Sequence, residues 1–442
     1  MKALSYSYKD ILKIAFPLMV SNFFFTLIAV TDIGFMREIG VTEQAAIGYI
    51  SLLYLFFFMT GFSYTRGAQI LIAKKDGQKK HKAIGLILDN MLVVLMGGAF
   101  LLWAILAFFG RDLLELALQD QEVIQASYEY LRIRKWGFFA SFLGSALIAY
   151  YSGIGRTKIL AVAIVSMSLS NIFLNWVLIF GHFGFKAYGI QGAAYASNLA
   201  EILSTLIMLA GLVVLNLRHK NHLFYFGKIK KSVIMSISSL SFPLVLQTLI
   251  GLAAWVVFFT LIEKLGKAEL AISNNVKQIY TLLGIPTYAL ASSTNTVIGN
   301  LVGQGKIGEI IPTLKRIILV SSICIFIFTL PTFLFPRIFL DLISEPGLVS
   351  SSIGPLFVAL VALQLYGFST ILFNCIASFG ASIHSLVVEV LTIILYLIYI
   401  YFLFYKMDIS ISIAWTTEWF YWGTLAILSL SYLYFYNWRK KL

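Results

Sequence analysis

Polar residues are scarce in this chain, so those placed inside long apolar runs stand out as candidates for chemistry. Asp32 lies deep in the first run, where an ionised carboxylate costs about 3 kcal/mol unless it is partnered or protonated. Asn171 and Asn175 stand four residues apart in the fifth run, and Ser197 and Glu201 stand four apart in the sixth. That spacing puts each pair on one face of a helix. Amide and hydroxyl oxygens beside carboxylates form a donor set for a hard cation, and a carboxyl alone can carry a proton. For the acids the sequence leaves two readings open. Asp32 is either a working carboxyl or a helix-end residue reaching outer water shortly before Gly40. Glu201 is either the second charge of the same pocket or a hydrogen-bonding partner for a neighbouring helix. Asp89, close to the inner end of its run, reads as solvated.

The second half of the chain offers weaker candidates. Ser273, Asn274, Asn275, Lys277 and Gln278 crowd a short stretch that cannot face lipid and is expected to face a substrate cavity. Snorkelling of Lys277 toward the interface is the other reading. Asn374 is a further cavity candidate, and Glu389 and Glu418 are intramembrane acids of lower standing. The histidines (His81, His182, His219, His222 and His384) are scattered without acid–base partners, which argues against a membrane-bound enzyme such as an acyltransferase. Cys324 and Cys375 lie inside apolar runs, so neither a disulfide framework nor a zinc spacing is expected. No cofactor is expected beyond a coupling ion.

The elements that must hold these residues are membrane helices. The chain has 442 residues, of which 60% are hydrophobic and 12% charged. Its mean hydropathy is +0.88. Soluble domains carry about 25% charged residues, and here the apolar residues come in runs of the roughly 20 needed to span a bilayer. The runs are continuous rather than alternating, which indicates helices and not a barrel. Twelve spans are expected, near 11–36, 44–73, 82–110, 125–153, 158–180, 189–217, 232–262, 268–304, 310–335, 350–378, 384–405 and 411–438. A basic connector, Arg218 to Lys231, separates two groups of six, so the expected divisions are 1–217, 218–231 and 232–442. The first run has no small-residue cleavage site after it and reads as a retained span.

The net charge of +13 lies in the gaps between runs and not on a basic domain, so no nucleic-acid partner is expected. With the N-terminus inside, the inner segments, from Lys2 through Lys228 to Lys441, collect 21 lysines and arginines. The outer ones collect 10, counting Arg132, Arg134 and Lys135. Both termini are therefore expected in the cytoplasm, and the chain in the plasma (inner) membrane.

The sequence also repeats itself. A shift of 226 residues places Phe16-Pro17-Leu18 on Phe242-Pro243-Leu244, Gly40 on Gly266 and Glu43 on Glu269. It also places Gly77-Gln78 on Gly303-Gln304 and Lys80 on Lys306. Bias toward Leu and Phe does not align Pro, Gly, Glu and Gln in one register. Parallel repeats of this kind place a substrate path between two halves.

Several motifs together carry a family resemblance. Phe16-Pro17-Leu18 precedes Asp32, and Gly153-Ile154-Gly155-Arg156 lies between the fourth and fifth spans. Asn171 to Asn175 is followed by Phe180-Gly181, and the sixth span opens Gly189-Ile190-Gln191-Gly192-Ala193-Ala194. Gly303-Gln304-Gly305 ends the eighth. In this order the chain resembles the MATE (multidrug and toxic compound extrusion) family over essentially its whole length. The resemblance implies two six-helix lobes around a V-shaped cavity and export of lipophilic or cationic organic compounds in exchange for protons or sodium. It is closer to the DinF-like branch than to the NorM-like one. That branch implies an ion site at Asp32, Asn171, Asn175 and Ser197, with sodium as one candidate ion. Asn175 departs from the pattern, which has a carboxylate there, and this favours a proton-linked or altered site. Glu201 then becomes a candidate for the missing charge. A small-molecule substrate, a lipid bilayer and a monomeric state are expected. A related flippase of lipid-linked saccharides is the alternative, although only Arg66 and Lys277 are mid-span cations for a pyrophosphate headgroup.

Overall fold

A computed structural model describes residues 6–226, 229–407 and 409–440; Lys2, Lys228 and Lys441, counted above among the inner charges, lie outside the described residues. The fold is helical throughout. The first half comprises α1 (Tyr8–Ile39), α2 (Val41–Gly77), α3 (His81–Ala117), α4 (Gln121–Arg134), α5 (Gly137–Gly153), α6 (Lys158–Phe180), α7 (Ile190–Val214) and the short α8 (Leu217–Asn221). The second comprises α9 (Lys231–Leu265), α10 (Lys267–Leu283), α11 (Ile285–Gly303), α12 (Ile310–Leu334), α13 (Pro336–Asp341), α14 (Val349–Ser378), α15 (Ser382–Lys406), α16 (Ile411–Trp415) and α17 (Thr417–Phe435).

Nine helices among the described residues are long and apolar enough to cross a membrane. The segments expected as the fourth, eighth and twelfth spans differ: each is divided, into α4/α5, α10/α11 and α16/α17. The breaks fall at Lys135-Trp136, Gly284 and Thr416. Hydropathy registers how apolar a run is but not where its backbone turns, so it merges such pairs. Large apolar side chains point outward along the spans, such as Phe108 at 76% and Phe100 at 60% exposure. In lipid this is the favoured arrangement, because hydrocarbon takes the place of the soluble protein's core.

The repeat extends to the backbone. Gln44 N–H bonds Gly40 O at 3.0 Å, and Leu270 N–H bonds Gly266 O at 3.1 Å, 226 positions later. At the far end of each copy Lys80 N–H bonds Lys75 O at 2.9 Å, and Lys306 N–H bonds Leu301 O at 3.0 Å. The residue between cap and turn is left-handed in both, Lys79 at φ 57 and Gly305 at φ 71.

The chain divides into two compact units: Val20–Ser241, and the stretch ending at Met19 with Phe242–Leu442. Both limits fall inside helices, two residues after Pro17 in α1 and just before Pro243 in α9. In the second unit Ile11 and Ala15 of α1 join Leu290, Ile298, Leu301 and Ile317 in one buried cluster.

Asp89 is not solvated. It is 6% exposed, and its carboxylate accepts the backbone N–H groups of Phe224 (2.8 Å), Tyr225 (3.0 Å) and Phe226 (3.2 Å). Neighbouring Asn90 accepts Lys230 N–H at 2.8 Å. Together they pin the connector to α3, and the left-handed backbone of Phe224 and Phe226 is held by those bonds.

Candidate functional site

The frame of the site is the α6–α7 hairpin. Gly181, left-handed at φ 79, closes α6, and the returning chain is tied back by Tyr188 N–H to Leu178 O (2.9 Å) and Gly189 N–H to Ile179 O (3.2 Å). Gly192, Ala196 and Ala200 then line one buried stripe of α7 at a spacing of four. Small residues at that spacing let membrane helices approach closely. A Cβ on Gly192 would come within 2.5 Å of the Leu178 carbonyl oxygen. The approach brings Ser197 of α7 against Asn171 of α6.

From there one hydrogen-bonded chain runs through the four residues that the sequence singled out by type and place. Asn171 Nδ2 donates to Ser197 Oγ at 3.4 Å, Asn175 Nδ2 to Asn171 Oδ1 at 3.2 Å, and Asn175 Nδ2 to Asp32 Oδ1 at 2.6 Å. Three helices thus contribute to one cluster. Asn171, Asn175 and Ser197 are buried, whereas Asp32 is half-buried. Asn175 Oδ1 is buried with no hydrogen-bond partner among the described residues. An orphaned amide oxygen beside a carboxylate is costly for a protein to keep. It is also a ligand atom that a cation at Asp32 would satisfy. One carboxylate with neutral oxygens fits a monovalent cation, sodium or a proton.

Glu201, one turn further along α7, engages a different partner. Arg134 Nη1 donates to its Oε2 at 3.0 Å, and Nη2 pairs with Oε1. Ser141 Oγ donates to Oε2 at 2.8 Å, and the Tyr54 hydroxyl donates to the same oxygen at 3.2 Å. Arg134 Nη1 also reaches Asn198 Oδ1 at 2.6 Å, and the guanidinium lies 3.7 Å from the centre of the Tyr54 ring. Arg134 was expected among the outer-end charges; its side chain is 8% exposed. The break that divides the fourth span explains this. α4 ends at Arg134 and α5 starts at Gly137, where a Cβ would collide with the guanidinium and with Asn198. The break therefore turns the arginine into the bundle. Ser197, at the end of the chain from Asp32, stands one turn before Glu201 on α7.

Sequence reasoning missed Arg134, Tyr54, Ser141 and Asn198. The available signal was an arginine flanked by Leu131, Ile133 and Trp136 within an apolar run.

In the second unit, Ser273 is buried and accepts from Trp415 Nε1 at 3.2 Å. Asn274, Lys277 and Gln278 are exposed and Asn275 is half-buried, with Lys277 Nζ 4.8 Å from the Phe259 ring centre. Asn374 is only 3% exposed, accepting from Asn295 Nδ2 at 3.2 Å and donating to Thr370 O at 2.8 Å. Glu389 accepts from Tyr421 at 2.6 Å. Glu418 accepts from Trp422 Nε1 at 2.9 Å and Tyr280 at 3.2 Å. Arg111–Glu115 and Arg134–Glu201 are the ion pairs among the described residues, so neither of these buried acids has a cationic partner there.

Comparison with known proteins bears on this geometry. The family model described as MatE matches residues 17–177 and 240–402, one stretch in each half. The "Probable multidrug resistance protein NorM" of Rhizobium meliloti (strain 1021) is 28% identical over 278 residues, 62% of this chain and 59% of that protein. The "Probable multidrug resistance protein YoeA" of Bacillus subtilis (strain 168) is 25% identical over 321 residues, 69% of this chain and 66% of that one. The aligned regions thus span just under two thirds of these relatives. A solved structure described as the outward-facing conformation of a multidrug resistance MATE family transporter of the MOP superfamily matches with a TM-score of 0.91. It covers 98% of this chain and 97% of its own at 17% identity, a likeness of fold. The relatives' names give no support to the DinF-like branch.

Proposed function

Since this chain belongs to the MatE family, whose multidrug transporters are not enzymes, we propose that it is a cation-coupled exporter of lipophilic or cationic organic compounds. The single observation that supports the coupling role best is the continuous chain Asp32–Asn175–Asn171–Ser197, with its orphaned Asn175 Oδ1. A proton on Asp32, or a sodium ion shared by its carboxylate and the neutral oxygens, cancels a charge that is expensive inside a bilayer. A cation that binds one conformation better than another shifts the population between them, which is what alternating access requires. On this reading the ion site is placed as in the DinF-like branch, although the matched relatives carry other names.

We further read the three divided segments as spans, giving twelve in two lobes, with both termini in the cytoplasm and the protein acting as a monomer in the plasma membrane. The exposed aromatic side chains supply faces suited to lipophilic cations. The test is drug resistance in cells stripped of their own major efflux pumps. Cells expressing the wild type are expected to resist ethidium, and cells expressing Asp32→Asn at equal level to be as sensitive as the empty host. Full resistance with Asp32→Asn would overturn the reading.

A further inference from the structure

We propose that Arg134 fixes the cation count of the site at one, by cancelling the charge of Glu201. The proposal rests on the reading of Asp32 as the coupling carboxylate. The chain from Asp32 of α1 ends on Ser197 of α7, one turn before Glu201, which pairs with Arg134 of α4, so three charged side chains meet in this region. The Tyr54 hydroxyl enters beside them as a hydrogen-bond donor to Glu201. Two carboxylates and one guanidinium leave a single negative charge, and one monovalent cation balances it. A second cation would leave the buried cluster positive, which the low dielectric penalises.

Glu201 is not poised to take a cation itself. Its two oxygens already receive Arg134, Ser141 and Tyr54. The guanidinium is equally committed, to Glu201, to Asn198 and to the Tyr54 face. A buried charge held this firmly does not leave its partner while that partner is ionised. Removing one member of the pair has a different effect. If Glu201 becomes neutral, Arg134 keeps its charge and the cluster with ionised Asp32 carries no net charge, so no coupling ion is called for. If Arg134 becomes neutral, two carboxylates remain and call for a second cation. Neutralising both restores the single negative charge on Asp32. Arg134 is thus a positioning residue, acting on the ion through charge balance.

The test is a static-head measurement of ethidium in vesicles reconstituted with the full chain, with the membrane potential clamped. The logarithm of the ethidium gradient at balance is plotted against that of the imposed coupling-ion gradient, and the slope reads the number of ions per cycle. The wild type and the Arg134→Gln/Glu201→Gln double variant are expected at a slope of about one. Glu201→Gln alone is expected to lose coupling, and Arg134→Gln alone to rise toward about two. Removing both members of a buried pair also repairs a merely structural defect, so the readout that such a role would not move is the ion count itself, the rise toward about two in Arg134→Gln. If Arg134→Gln fails to fold, Glu201→Gln decides at matched folded amount: a folded but uncoupled protein is expected, and a folded protein with the wild-type slope overturns the proposal. A wild-type slope in Glu201→Gln, or loss of coupling in the double variant, overturns the proposal. Asp32→Asn in the same vesicles separates the two readings: retained coupling there would overturn the proposed function and this proposal with it, whereas a wild-type slope in Glu201→Gln overturns the role of Arg134 alone.

Discussion

Asn175 is where the ionic character of the site is set. Its Nδ2 bridges Asp32 and Asn171, so its charge decides whether Asp32 faces an amide or a second carboxylate. Asn175→Asp puts two acids in hydrogen-bonding contact, and like charges at that range cannot both ionise without a cation between them. The expected outcome is a shift in the pH or sodium dependence of efflux, with a steeper dependence on the coupling ion. Curves of efflux rate against pH at fixed sodium, and against sodium at fixed pH, check this; unchanged curves would contradict it. Asn171 with Asn175, and Ser197 with Glu201, stood out by helical spacing within apolar runs, and Asp32 by its depth; the set Asp32, Asn171, Asn175 and Ser197 came from the family resemblance. Arg134 was not, because a charge near the end of a run looks the same in sequence whether it reaches water or turns inward.

At the scale of elements, the hairpin of α6 and α7 and the latch between α3 and the connector both make measurable commitments. Gly192→Ala drives a methyl into the Leu178–Ile179 backbone, which has no side-chain freedom with which to yield. Overpacking of this kind costs about 1–3 kcal/mol, so a lower thermal midpoint and a loosened Ser197–Asn171 contact are expected. An unchanged midpoint would mean that the helices are not held as closely as described. Asp89→Ala leaves three connector N–H groups without their acceptor, a loss of about 1–3 kcal/mol at the latch. Limited proteolysis between His222 and Lys231 is expected to become faster with transport helices intact; equal cleavage rates would contradict the latch. The helices themselves could be read from hydropathy, but the breaks at Lys135-Trp136, Gly284 and Thr416 could not. A turn that stays apolar leaves no trace in composition, although it decides which side chains face inward.

For the whole molecule, duplication was legible because Pro, Gly, Glu and Gln recur in one register, and the same caps and turns recur in the backbone. The limits of the two compact units were not, since they lie within continuous apolar helices beside Pro17 and Pro243. The proposed ion site falls wholly within Val20–Ser241, so the central claim can be put to one place in the molecule. The measurement is ethidium transport by the purified chain in sealed vesicles, under a sodium gradient alone and then a pH gradient alone. The wild type is expected to accumulate ethidium under at least one gradient and to stop when that gradient is collapsed, whereas Asp32→Asn, reconstituted to the same density, is expected to remain at the protein-free rate under both. Wild-type accumulation by Asp32→Asn under the same gradient would contradict the account.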